Sequence, residues 1–118
     1  MSLRYANIAL TPGVQTNYAF KIFDDTGVPV NLTGYTFRWE FFDTMDRLTV
    51  LKTTAVSTGL GLVTMQISAN DGTAFSESLY KYRLILTSPG GSVTLAYSGY
   101  LKVGDPAYDP NASPSSNV

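Results

Sequence analysis

Between residues 28 and 43 the chain reads VPVNLTGYTFRWEFFD, and its second half alternates without a break. Tyr35, Phe37, Trp39 and Phe41 fall on one side of an extended chain, while Thr36, Arg38, Glu40 and Phe42 fall on the other. A period of two marks a strand with one face on a core and the other toward water or a partner. Burying each ring contributes about 1.5–3 kcal/mol, so four in a row predict a strand at the centre of a sheet.

The same rhythm recurs at short intervals along the chain, with turn residues between, and no window of a dozen residues carries a helical period. Residues 3–10 read as a first strand, closed by Thr11-Pro12-Gly13. Residues 17–24 read as a second with Tyr18, Phe20 and Ile22 inward, followed by an Asp24-Asp25-Thr26-Gly27 turn. After the aromatic third strand, residues 48–56 form a weaker fourth in which Leu48/Val50 and Thr49/Leu51 compete for the buried face. The fifth, residues 61–67, directs Val63, Met65 and Ile67 inward. Residues 68–78 turn polar and small around Asn70-Asp71-Gly72, a connection with room for one helical turn. The sixth strand, residues 79–87, sets Tyr80, Tyr82, Leu84 and Leu86 against Lys81, Arg83 and Ile85. Ser88-Pro89-Gly90-Gly91 makes a hairpin turn, and residues 92–103 return as a seventh strand with Val93, Leu95, Tyr97, Leu101 and Val103 inward. Gly99 interrupts that row and marks a bulge or a close approach to a neighbouring ring.

About seven short strands, a tryptophan on the third and a tyrosine pair opening the sixth predict an all-β fold: an immunoglobulin-like antiparallel β-sandwich lacking the usual cysteines, with Tyr80 or Tyr82 as its corner tyrosine. The sandwich is expected over residues 1–104. Residues 105–118, DPAYDPNASPSSNV, have no apolar periodicity and read as a flexible Pro/Ser-rich tail.

Composition narrows the function mainly by exclusion. A chain of 118 residues is one ordinary domain, able to bury about 65–70% of the surface its unfolded form exposes. It has no cysteine, which rules out disulfides, zinc–thiolate sites and thiol nucleophiles, and no histidine, which rules out a serine–histidine pair. Eight basic and nine acidic side chains give a net charge of −1 with no run of like charge, so nucleic acid is not an expected partner. Residues 1–10 hold one arginine and no continuous apolar run, so neither a signal peptide nor a membrane span is expected.

Asp24, Asp25, Asp43 and Asp46 are the clustered carboxylates, but they sit in turn contexts and lack the alternating oxygen ligands of a calcium loop. A glycosidase needs two carboxylates across a cleft, and Glu40 and Glu77 are the only glutamates. No catalytic, metal or cofactor site is expected. Of the eight tyrosines most fall on inward rows; Tyr5, Tyr100 and Tyr108 remain for a glycan, which keeps a carbohydrate- or cell-surface-binding module as the alternative reading. Asn31-Leu32-Thr33 and Asn111-Ala112-Ser113 match a glycosylation pattern that chance also produces. More telling are Phe23, Phe42, Leu62, Ile85 and Tyr100, apolar residues on rows that should face out. One such residue needs no explanation, whereas several on neighbouring strands would form a patch of the kind that binds protein.

The succession from Thr26 through Gly27, Pro29, Asn31, Leu32, Thr33 and Gly34 to Tyr35 resembles small structural proteins of tailed bacteriophages, notably the amino-terminal domain of baseplate upper proteins. There a run of the form Gly-x-Pro-hydrophobic-Asx-Leu-Thr-Gly leads into an alternating strand. Ser78-Leu79-Tyr80-Lys81-Tyr82 and Leu95-Ala96-Tyr97-Ser98-Gly99-Tyr100-Leu101 look like that family's closing hairpin, so the likeness spans residues 18–103. The resemblance implies a non-enzymatic virion component of the tail, baseplate or neck, assembled in the host bacterial cytoplasm. Its expected partners are copies of itself, as a homo-oligomer, and other virion proteins.

The tail composition generates a first prediction. Its few apolar side chains cannot offset the entropy of ordering it. Deleting residues 109–118 should therefore leave the melting temperature nearly unchanged in scanning calorimetry; a drop of many degrees would show that the tail docks on the domain or on a second subunit, with the adjoining Tyr108 the first residue to test.

Overall fold

The computed structural model describes residues 3–104, so the expectations for the tail, Tyr108 and Asn111 lie outside it. It is an all-β sandwich of two sheets. The larger contains β1 (Arg4–Tyr5), β2 (Ile8–Leu10), β4 (Thr36–Phe42), β5 (Leu48–Lys52), β8 (Leu79–Thr87) and β9 (Val93–Val103). Its order is β1-β9-β8-β4-β5, with β2 also pairing β9. The smaller contains β3 (Thr16–Lys21), β6 (Ser57–Gly59) and β7 (Leu62–Ile67) in the order β3-β7-β6. A 3-10 turn, Asp71–Ala74, occupies the polar connection after β7.

The aromatic strand is interior to the larger sheet but second from its edge, and β8 holds the centre where the aromatic strand was expected. β4 lies between β8 and β5, with Phe37, Trp39 and Phe41 buried and Trp39 and Phe41 fully so. Trp39 packs edge-on against Tyr18 at 5.4 Å and Phe20 at 5.7 Å from the facing sheet; within its own sheet it meets Tyr82 edge-on at 6.4 Å and Phe41 in a tilted contact at 4.6 Å. Edge-to-face rings contribute about 0.5–1.5 kcal/mol beyond their area. Its indole N–H has no hydrogen-bond partner among the described residues, so the ring is held by packing. The inward rows expected for β3, β7 and β8 are buried, including Phe20, Ile22, Val63, Met65, Ile67, Tyr80, Tyr82, Leu84 and Leu86; Tyr18 is half-buried against them. Leu32 and Phe75, from connections, complete the core.

Three further expectations are corrected. Nine strands among the described residues replace about seven: the first breaks into β1 and β2, the fourth ends early at Lys52 as β5, and β6 forms beyond its expected end and belongs to the other sheet. The sandwich is not purely antiparallel: β1 and β2 run parallel to β9, Arg4 beside Tyr97 and Ile8 beside Leu101. The inward row of β9 is also wrong at its start. The pairing passes from Leu84 opposite Tyr97 to Ile85 opposite Leu95, which leaves Ala96 as an extra residue. One inserted residue moves every preceding side chain to the other face. Ala96 is therefore buried, while Val93 and Leu95 are 69% and 37% exposed.

Gly99 is a close approach rather than the bulge. A Cβ there would lie 2.1 Å from the Ala6 carbonyl oxygen and 3.1 Å from the Tyr82 ring. That closeness lets Tyr82 donate to the Ala6 carbonyl at 2.5 Å, locking β1 and β2 onto β9. Burial, with Tyr97 nearby, pushes the Tyr82 hydroxyl up to about 12, so it keeps its proton at physiological pH. Tyr97 ties the two sheets together: its hydroxyl donates to the Lys21 carbonyl at 2.9 Å and accepts from the Lys21 N–H at 3.2 Å. The Tyr80 hydroxyl accepts the Glu77 N–H at 3.0 Å, which anchors the entry to β8.

Trp39→Ala should cost about 3–5 kcal/mol in urea melts. Trp39→Phe should cost less, because it keeps a ring and removes an unpaired buried donor. An alanine variant within about 0.5 kcal/mol of the parent, the usual range of surface substitutions, would contradict this register.

Candidate protein-docking face

The two sheets differ in what they turn outward. On the smaller sheet Asn17, Ala19, Ser57, Thr64 and Gln66 form a polar, small-residue surface that ends in Lys21 and an exposed Leu62, with the Gln66 amide donating to Asn17 at 3.0 Å. The larger sheet alternates charge with apolar bulk. Its outward rows, read across β9, β8, β4 and β5, run Tyr100–Lys81–Phe42–Leu48, then Ser98–Arg83–Glu40–Leu51, then Leu95–Ile85–Arg38.

The five residues predicted to form an interface separate into two groups. Phe42, Ile85 and Tyr100 share the outer face of the larger sheet, Phe42 and Ile85 half-buried and Tyr100 47% exposed. Phe23 and Leu62 lie elsewhere. Leu62 projects from the smaller sheet opposite Lys21, and Phe23 bridges to Pro29 in the β3–β4 connection with the Arg4 guanidinium 5.7 Å from its ring. Gly61 makes that corner possible: at φ 69° its bare Cα lets Pro29 and Phe23 close over it. The cause of the separation is the sandwich itself, since strands that look alike in sequence belong to opposite sheets.

At the centre of the larger face is a charged group that the alternation did not reveal. Glu40 stands on an outward row yet is only 4% exposed. The Nε of Arg38 donates to its Oε2 and the Nε of Arg83 to its Oε1. Burial pushes the Glu40 carboxyl up, but hydrogen bonds from both guanidiniums and their charges outweigh it, and the net shift is below the ordinary 4.5. Arg83 also lies over the Phe42 ring at 5.0 Å, covering that ring with a cation that is itself half-exposed. The signal available in sequence was Arg-x-Glu on one outward row and a second arginine on another, and only the pairing of β4 with β8 brings them together.

Two shallow depressions indent this face. One of about 290 Å³ is lined by Phe42, Asp46, Lys81, Tyr82, Arg83 and Ser98. Another of about 330 Å³ is lined by Asn7, Ile8, Leu79, Tyr100 and Lys102. Leu51 and Leu95, 39% and 37% exposed, extend its apolar surface beyond the residues foreseen.

The other carboxylates serve the turns. The Asp24 carboxylate accepts from the Thr26 hydroxyl at 2.6 Å and from the Thr26 and Val28 N–H groups, which lowers its pKa. Asp43 caps the β4–β5 hairpin, accepting from the Arg47 N–H at 3.0 Å, the Met45 N–H at 2.9 Å and the Arg47 guanidinium at 2.9 Å. Asp46, at φ 61° in that hairpin, accepts from Lys81 at 2.8 Å. Asp24 and Asp25 lie beyond one end of β4 and Asp43 and Asp46 beyond the other, so the four never converge. Among the described residues no group of histidine, cysteine, aspartate or glutamate could hold a metal ion, and no helix is long and apolar enough to cross a membrane.

These features define a two-sheet all-β sandwich with one charged, partly apolar outer face. No family profile and no curated protein matches the sequence. Among solved structures the fold is similar to the N-terminal domain of phage TP901-1 ORF48, with a TM-score of 0.54 at 13% identity, covering 89% of this chain and 100% of that one.

The Arg38–Glu40–Arg83 group generates a pH prediction. A carboxylate whose folded pKa lies below its unfolded value stabilises the fold above the unfolded value and loses that contribution as pH falls through the folded one. Glu40→Gln should therefore cost about 1–2 kcal/mol near neutral pH. The gap to the parent should begin to close as pH drops below 4.5, the ordinary value. Urea melts across pH 7 to 3 would check this, and a pH-independent gap would show that Glu40 acts by shape alone.

Proposed function

We propose that this chain is a non-enzymatic structural component of a tailed-phage particle, in the tail, baseplate or neck, acting through protein–protein contacts. The observation that carries the reading is the fold likeness to a phage protein's N-terminal domain, which spans nearly the whole chain. The run from Thr26 to Tyr35 and the Tyr80–Tyr100 region support it independently, because they resemble amino-terminal domains of phage baseplate upper proteins.

We read the sandwich as immunoglobulin-like. The orders β3-β7-β6 and β9-β8-β4-β5 parallel the B-E-D and G-F-C-C′ layout, with the buried tryptophan on the strand equivalent to C and Tyr80 opening the equivalent of F. In this reading the working surface is the outer face of the larger sheet, around Phe42, Ile85 and Tyr100. Tyr5 and Tyr100, 78% and 47% exposed, lie on that open sheet and not around a loop-end groove, which favours protein contact over glycan binding. Of the two expected modes of assembly we favour a chain held by a partner virion protein. Two copies set outer face to outer face would oppose the same excess of arginine charge, and like charges juxtaposed across an interface are costly.

Mass spectrometry of purified, infectious particles of the phage encoding this sequence should find the chain as a component present in fixed proportion. Phe42→Ser with Ile85→Ser should leave the circular dichroism spectrum native, since neither residue belongs to the fully buried core, and should abolish incorporation. Complete particles that lack the chain would overturn the proposal.

A further inference from the structure

The outer face of the larger sheet is specific in its charge as well as its shape. Two guanidiniums share one buried carboxylate, leaving one positive charge in excess at the centre of the face. Lys102, exposed on the row beside Leu79, adds another at its edge, while Lys81 is offset by Asp46. Each arginine engages Glu40 through Nε, and the side chains remain 49% and 47% exposed. A guanidinium carries five N–H donors in a planar fork matched to carboxylates, so a fork fixed at one corner still offers donors to a second carboxylate. Glu40 thus orients the forks without using them up. Around them Phe42, Ile85, Leu51 and Leu95 supply apolar contact at sheet spacing.

Resting on the docking role assigned to this face above, we propose that its occupant is an acidic segment of another virion protein, in which carboxylates alternate with apolar side chains. Its carboxylates meet Arg38 and Arg83, and its apolar side chains pack on Phe42, Ile85 and Leu95. Charge complementarity selects this occupant: a basic segment, or a second copy of the same face, would meet the excess charge with the same sign.

The test is incorporation of purified full-length chain into incomplete particles assembled in its absence, quantified by mass spectrometry. Arg38→Gln with Arg83→Gln should reduce incorporation at least tenfold. Those changes strand a buried carboxylate, so the triple variant Arg38→Gln, Glu40→Gln, Arg83→Gln provides the same loss of cations without an unpaired charge, and it should fail equally while keeping a native spectrum. Lys21→Gln, on the smaller sheet's outer face, should incorporate normally. If the triple variant incorporates like the parent while Phe42→Ser with Ile85→Ser does not, the face is used but its occupant is not acidic, and the inference fails alone. If the parent does not incorporate, or the serine variant does, the docking reading itself falls.

Discussion

Everything in this domain depends on the indole of Trp39 filling the space between two sheets. It comes from an interior strand of the larger sheet and meets Tyr18 and Phe20 of the smaller one edge-on, so the sheet spacing is set by aromatic rings. Phe41, Tyr82 and Phe75 continue the ring cluster along the core. A core of this kind tolerates an unpaired indole N–H because the area buried outweighs about 1–3 kcal/mol for one unsatisfied donor. Tyrosine hydroxyls then fix what packing alone would leave free to slide. Tyr97 pins β9 to β3, Tyr82 pins β1 and β2 to β9, and Tyr18 donates to the Ala9 carbonyl at 2.6 Å across the sandwich.

Because strands alternate, that same core determines what stands on the outside. Every inward aromatic on β4 commits its neighbours to the outer face, and those neighbours are Arg38, Glu40 and Phe42. β8 contributes Lys81, Arg83 and Ile85 in register. The charged group is therefore coupled to the core through backbone pairing: a one-residue slip of β4 against β8 would break the Arg83–Glu40 pair and turn the rings to solvent together. The smaller sheet has no such arrangement: its outer face is mostly small and polar, with Lys21 opposite Leu62 at one end. This asymmetry between the faces is the physical basis for assigning the protein contact to one of them.

The parts of the fold that were legible in the sequence are those where the period of two is unbroken. β3, β4, β7 and β8 have the expected inward rows, and the 3-10 turn falls in the connection where one helical turn had room. The failures trace to single residues that break local periodicity. Ala96 bulges and reverses Val93 and Leu95, the break at Ala6–Asn7 divides the first strand, and the chain after Lys52 leaves one sheet for the other. Parallel pairing of β1 and β2 with β9 joins residues more than ninety positions apart, which no local pattern encodes. The candidate face was half legible. Phe42, Ile85 and Tyr100 followed from the alternation, but sorting Phe23 and Leu62 away from them required sheet membership. The burial of Glu40 required the cross-strand pairing with Arg83.

The central claim is that the outer face of the larger sheet, and not that of the smaller one, is covered in the assembled particle. The absence of cysteine makes it directly measurable, since any thiol introduced is the only one. Leu95→Cys places a probe on the larger face and Ala19→Cys on the smaller, both at exposed positions. Maleimide labelling of each variant, free and in particles, compares the two faces. The account predicts that Leu95→Cys labels readily in the free chain and is protected in the particle, with Ala19→Cys labelled equally in both; protection of Ala19→Cys with Leu95→Cys still open would contradict it.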